Sequence, residues 1–146
     1  MIMKQSIFFT LLAFVVTLSA CDKEPIEPVV SKTSLLTTGT WSLTVMAHDY
    51  DGNGSYETDV LANAPTCFRD NFWTFRANGD LELNEGNTKC DPIDPQTDIT
   101  KWQMTNNESS LVLDGDVFSI TELSSSNVKL KEVFQGGSTI VTFTKR

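Results

Sequence analysis

The chain has 146 residues, with 11 lysines and arginines against 19 aspartates and glutamates and a formal net charge of −8. That balance offers no electrostatic footprint for nucleic acid and no polybasic patch for anionic lipid, so it argues against charge-driven binding of either. About 110 residues lie beyond position 35, enough for one small domain with one core.

Residues 1–20 read as an export signal. Lys4 supplies the positive start, and the apolar run Ile7 to Leu18 is too short to span a bilayer as a permanent anchor. Leu18-Ser19-Ala20-Cys21 then resembles the lipobox of bacterial lipoproteins. The resemblance implies cleavage before Cys21 and acylation of its thiol, with palmitate among the acyl chains. Cys21 would then hold the mature chain to a membrane of the cell envelope, expected to be the outer membrane. Losing Lys4 takes the mature net charge to −8 − 1 = −9. Residues 21–34, with Pro25, Pro28 and several charges, read as an extended flexible tether, and residues 35–146 as the folded domain. The acidic residues beside Cys21 resemble export signals of surface lipoproteins in Bacteroidetes.

In the domain, Trp41, Leu43, Val45 and Ala47 alternate with Ser42 and Thr44, the period of a half-buried strand, with Met46 as the exception. A loop from Asp49 to Pro65 follows. Its start, Asp49-Tyr50-Asp51-Gly52-Asn53-Gly54, resembles a calcium loop in which oxygens of Asp49, Asp51, Asn53, Ser55 and Glu57 would converge on one cation. The twelfth position, where a bidentate glutamate belongs, is Val60. Two readings stand: a weak calcium site, or an Asp/Gly-rich turn that satisfies its own backbone.

Next come FWTFR at 72–76 and LELNE at 81–85, joined through Asn78-Gly79, a pair suited to a type I′ turn with φ > 0 at both central residues. A tight hairpin brings its far ends together, where Cys67 and Cys90 lie. With Cys21 given to lipid, these are the two cysteines left, and an exported protein favours their pairing over two free thiols. Phe72 and Phe75 have opposite parity, so at least one aromatic of the 72–75 run points away from the interior.

A proline-stiffened loop at 86–99 leads to strands at 101–105, 111–113, 117–123, 128–134 and 138–144, separated by Asn, Asp, Ser and Gly turns. The total is eight short strands with no helical periodicity. Short connections force antiparallel neighbours, and closing the meander removes both exposed edges. The expected fold is therefore all-β, an eight-stranded antiparallel up-and-down barrel, with an open two-sheet sandwich as the alternative.

Gly39-Thr40-Trp41 resembles the G-x-W signature of lipocalins. The wider set of Cys67, Asp70-Asn71, Thr74-Phe75, Asn78-Gly79, Lys89-Cys90-Asp91-Pro92, Trp102 and Phe143-Thr144-Lys145 is similar to the lipocalin-like lipoprotein domains of Bacteroidetes. The resemblance implies a barrel with an interior, for which Trp41, Leu43, Phe75, Trp102 and Phe118 are the candidate ligand-facing residues.

Catalytic inventory is thin. His48 is the one histidine, placed at a strand end where a surface role is the ordinary expectation, and no serine sits in a G-x-S-x-G turn. Two cysteines spent on each other leave no zinc set. The expected protein is not an enzyme and needs no cofactor, calcium being the one candidate. Three functions remain: binding of a small apolar or amphipathic ligand in the barrel, presentation of loops to a protein partner as an interaction or inhibitor barrel, and calcium-dependent attachment.

Overall fold

The computed structural model describes residues 30–146; the export signal, the lipobox cysteine Cys21 and most of the expected tether lie outside the described residues. The elements run α1 (Lys32–Thr37), β1 (Trp41–Asp49), β2 (Thr58–Asp59), α2 (Thr66–Arg69), β3 (Phe72–Phe75), β4 (Asp80–Asn84), β5 (Thr97–Thr105), β6 (Ser110–Leu113), β7 (Asp116–Leu123), β8 (Asn127–Phe134) and β9 (Gly137–Lys145). Strands β3 to β9 pair in chain order, and β9 returns to pair with β1 along its whole length, from Trp41↔Lys145 to Asp49↔Ser138. A bridge at Trp41↔Trp73 completes the ring. The eight-stranded antiparallel barrel expected from the sequence is the observed fold, and closure through β1 and β9 rules out the open sandwich. The two-residue β2 is an appendage beside the upper end of β1.

Antiparallel pairing places α1, the turns at 76–79, 106–109 and 124–126, and the C-terminus at one end of the barrel, here called the base. The loops at 50–57, 86–96 and 135–136, with the Asp114-Gly115 turn, lie at the other, the mouth.

Side chains that face each other across a ladder share a face of the sheet, so the register assigns each residue to the interior or the exterior. In β1 the register shifts between Leu43 and Val45. Before the shift Trp41 and Leu43 face inward, Leu43 opposite Phe143. After it Met46 sits opposite Val141 and His48 opposite Thr139, so the inward set becomes Met46 and His48. A β-bulge inserts one unpaired residue and switches the parity. Val45 and Ala47, expected on the core face, therefore point outward, and Ala47, paired with Asp59 of β2, is nonetheless buried. His48, expected at the surface, is half-buried on the inner wall.

The base is sealed by a helix where the sequence suggested none. The stretch expected to stay extended to residue 34 turns helical from Lys32. Ser31 caps it, its side chain accepting from the Ser34 amide at 3.1 Å. Leu36 is fully buried, and its carbonyl accepts the indole N–H of Trp41 at 2.9 Å. The Glu108 carboxylate, from the turn between β5 and β6, accepts from Lys32 N (3.2 Å), Thr33 N (3.2 Å) and Thr33 Oγ1 (2.9 Å). Glu108 does so from a left-handed turn in which Asn106, Asn107 and Glu108 all have positive φ, at 52°, 53° and 59°.

The β3–β4 turn also differs from expectation. Only Gly79 has positive φ, at 85°, so the connection is a type I turn followed by a left-handed glycine rather than type I′. Asn78 stays at negative φ because its side chain is engaged locally, accepting from Asp80 N at 3.1 Å. The two-residue turn with both φ positive is Asp114-Gly115. Strand β5 begins at Thr97, earlier than expected, because Thr97 to Thr100 pair with β4. Of the aromatic run, Trp73 and Phe75 face inward, Phe75 pairing with buried Leu81 and Trp73 packing edge-on to Phe143 at 5.4 Å. Phe72 is the outward one, covered by the Arg146 guanidinium at 4.8 Å.

Candidate functional site

The interior divides into two layers. Toward the base, Trp41, Leu43, Phe75, Leu81, Trp102, Leu111, Val128, Leu130, Val141 and Phe143 are buried and form one cluster with Leu36 and Leu61. Phe75 meets Trp102 at 5.4 Å and Phe143 at 6.4 Å, both edge to face. Four of the five expected ligand-facing residues, Trp41, Leu43, Phe75 and Trp102, therefore form this packed floor.

Toward the mouth the inward residues are only half-buried. Met46, Trp73, Leu83, Leu113 and the fifth expected residue, Phe118, all face inward by register, and all retain accessible surface. Met46, Trp73, Leu113 and Phe118 pack against the Trp41 to Phe143 cluster from the mouth side.

Polar residues face inward above these side chains. His48, Thr139 and Glu132 lie abreast on β1, β9 and β8, all inward. His48 Nδ1 and Thr139 Oγ1 are 2.8 Å apart, and Thr139 is 4% exposed. The Tyr50 ring stands 5.2 Å from that of His48. Glu132 was legible, since Val128, Leu130, Glu132 and Phe134 alternate with Lys129, Lys131 and Val133. His48 was hidden by the bulge, whose visible trace was the misplaced Met46.

Two grooves of about 600 Å³ each also mark the exterior, one against Phe72, Thr74 and Arg76 and the other against Lys101, Gln103 and Val112. These residues alternate with inward ones, so both grooves lie on the outer wall. An Arg76–Glu82 ion pair crosses the first at 2.5 Å.

The Asp49 loop folds on itself beside the mouth. Carboxylate oxygens of Asp49, Asp51 and Glu57 lie within 4.8 Å of one another. Asp49, 2% exposed, accepts from the amides of Gly52 at 2.8 Å and Gly54 at 3.0 Å, while Asp51 accepts from Asn53 N and Nδ2. Asn53 Oδ1 in turn accepts from Ser55 N at 2.7 Å. Burial opposes ionisation of Asp49, but the Gly54 and Gly52 amides outweigh it and hold the carboxyl below its usual range. This geometry meets the description of a turn satisfying its own backbone, with oxygens also close enough for a cation to bridge.

Cys67 and Cys90 form a disulfide with Cα atoms 5.2 Å apart, joining α2 to the β4–β5 loop. Asp70 Oδ2 strengthens the junction by accepting from Asn87 N at 2.9 Å and Thr88 N at 3.0 Å. Gly86 is required there: its φ is 67°, and a Cβ would meet the Asp70 carbonyl oxygen at 2.5 Å.

Residues 37–130, 94 of the 146, match the family model of the lipocalin-like domain. Comparison with curated proteins returned no match.

Proposed function

The chain belongs to the lipocalin-like domain family, and from that premise we propose a non-enzymatic binding protein of the cell envelope. In this reading the upper interior opens between the loops as a cup that takes a small apolar or amphipathic molecule. The reading is supported by the closed barrel of the family and by its upper interior, where partly buried Met46, Trp73 and Phe118 stand above a fully packed floor. Lipocalin-like barrels are in general binding folds rather than enzymes, which supports the non-catalytic assignment. Acylated Cys21 tethers the domain to the outer membrane, a role that rests on the lipobox sequence.

Native mass spectrometry of the protein, purified without detergent from its own host, tests both parts. A co-purifying small molecule, lost from a Met46→Trp variant that fills the cup, supports the binding reading. A bare protein under all conditions contradicts it. The N-terminal peptide should carry an acylated Cys21 as its first residue, and an unmodified peptide running through residue 20 would refute the anchor.

A second reading, docking of a protein partner on the mouth loops, is favoured by the exposed apolar side chains Ile93, Ile99, Val117 and Val133 around that end. It predicts capture of a partner that is lost when Val133 and Ile99 become serine, with ligand binding unaffected.

A further inference from the structure

Charged side chains of the described residues are sorted along the barrel axis. At the base, α1, the turns at 76–79, 106–109 and 124–126 and the last two residues carry Lys32, Arg76, Lys145 and Arg146 against one carboxylate side chain, Glu108. The mouth loops reverse that balance, with Asp51, Glu57, Asp91, Asp94 and Asp114 against Lys89. Arg76 is offset by its pair with Glu82 on β4. Lys145 and Arg146 are engaged without a carboxylate, by Thr38 Oγ1 and the Trp41 ring and by the Phe72 ring. One end of the domain is therefore weakly positive and the other strongly negative.

The chain leading from Cys21 enters the fold at Lys32, on the base, where Glu108 holds the first turn of α1. Between Cys21 and Lys32 the chain reaches roughly 40 Å at full extension. The nine-residue β1, rising about 3.3 Å per residue and tilted by about 40°, gives a barrel only roughly 20 Å tall. A tether of that length lets either end meet the membrane, so charge decides. With a Debye length of about 8 Å at physiological salt, only the end nearest an anionic surface feels its potential strongly. Base first, Lys145 and Arg146 are attracted; mouth first, the carboxylates are repelled. The acidic residues beside Cys21 stay near the surface in both poses and cancel from the comparison.

We infer that the anchored domain stands with its base toward an anionic lipid surface and its mouth turned away, so that a ligand reaches the barrel from the aqueous side rather than from the anchoring leaflet. The inference rests on the acylation of Cys21 proposed above and adds the direction in which the barrel faces.

The test is NMR of the full acylated chain in nanodiscs of equal parts phosphatidylglycerol and phosphatidylcholine, doped with a gadolinium-chelating lipid. Paramagnetic broadening of the Asn78 and Ser125 amides, at the base, should exceed that of Asn53 and Ile93, at the mouth, by about tenfold or more. The difference should shrink in 1 M salt, where the Debye length is about 3 Å, and in discs of phosphatidylcholine alone. Equal broadening at the two ends, or stronger broadening at the mouth, overturns the orientation while the anchor stands. A bias toward the base that is unchanged by salt and by lipid charge overturns the electrostatic inference as well. A chain that does not stay with the discs refutes the acyl anchor and takes the orientation with it.

Discussion

Removing the Cys67–Cys90 disulfide by a double substitution to alanine should cost a calculable amount of stability. The bridge spans a sequence separation of 23 residues. The loop-closure relation, 2.1 + 1.5R ln n in cal/mol/K, then gives about 3.4 kcal/mol at 25 °C. For the 117 residues from 30 to 146, an unfolding entropy of about 2.1 cal/mol/K per residue converts that cost to a drop of roughly 14 °C in Tm. The native side of the balance should change little. Asp70 continues to hold the Asn87 and Thr88 amides, and the side-chain nitrogen of Asn71, in the amide orientation its surroundings require, donates to the carbonyls of Glu85 and Cys67. Urea unfolding followed by tryptophan fluorescence reads the result, because Trp41 and Trp102 lie in the core and report global unfolding. A loss under about 1 kcal/mol would refute the reasoning, since the junction would then be held by its hydrogen bonds and the unfolded chain little constrained by the bridge.

The remaining predictions concern the two ends of the barrel. Leu36→Ala, which empties a fully buried site beneath Trp41, should cost about 2–5 kcal/mol in chemical denaturation; a cost near zero would mean that α1 does not seal the base. The Thr33 hydroxyl and amide hold the Glu108 carboxyl below its usual 4.5 against the opposing effect of burial. A carboxylate depressed in the folded state stabilises above the unfolded pKa, and the gain disappears as pH falls through the folded value. The stability advantage of the wild type over Glu108→Gln should therefore be constant near neutrality and shrink on acidification below 4.5, and a gap that widens in acid would reverse the assignment. Because Asp49 and Asp51 already accept from their own loop, millimolar calcium should leave Tm unchanged; a rise of several degrees, abolished by EDTA, would establish the loop as a cation site.

Much of this architecture was legible because local rules act there without competition. Alternation in Val128 to Phe134 and Ser138 to Thr144, bounded by Asn127 and by Gly136-Gly137, marks the two strands that the structure pairs as β8 and β9. Both cysteines of the bridge were identifiable from the hairpin between them. What was hidden depended on contacts distant in sequence. The six residues of α1 have little propensity to stand alone, and their helix is fixed by Glu108 from 75 residues away and by Leu36 packing under the barrel. The bulge in β1 is set by its long ladder with β9, so Met46 and His48 changed sides without a local signal strong enough to say so. How far the floor cluster fills the closed ring is a volume that no strand pattern encodes. Four of the residues expected to touch ligand instead form that floor because the base of the barrel is plugged by α1 above which Trp41 packs.

The most direct test of the central claim is an NMR measurement of intermolecular contacts between bound nonanol, a small neutral amphiphile, and the side chains of the protein. The cup predicts nuclear Overhauser effects from the alkyl chain to the Met46 methyl group and the Phe118 and Trp73 rings. Contacts confined to Val112 or Phe72 on the outer wall, with none to Met46, would contradict it.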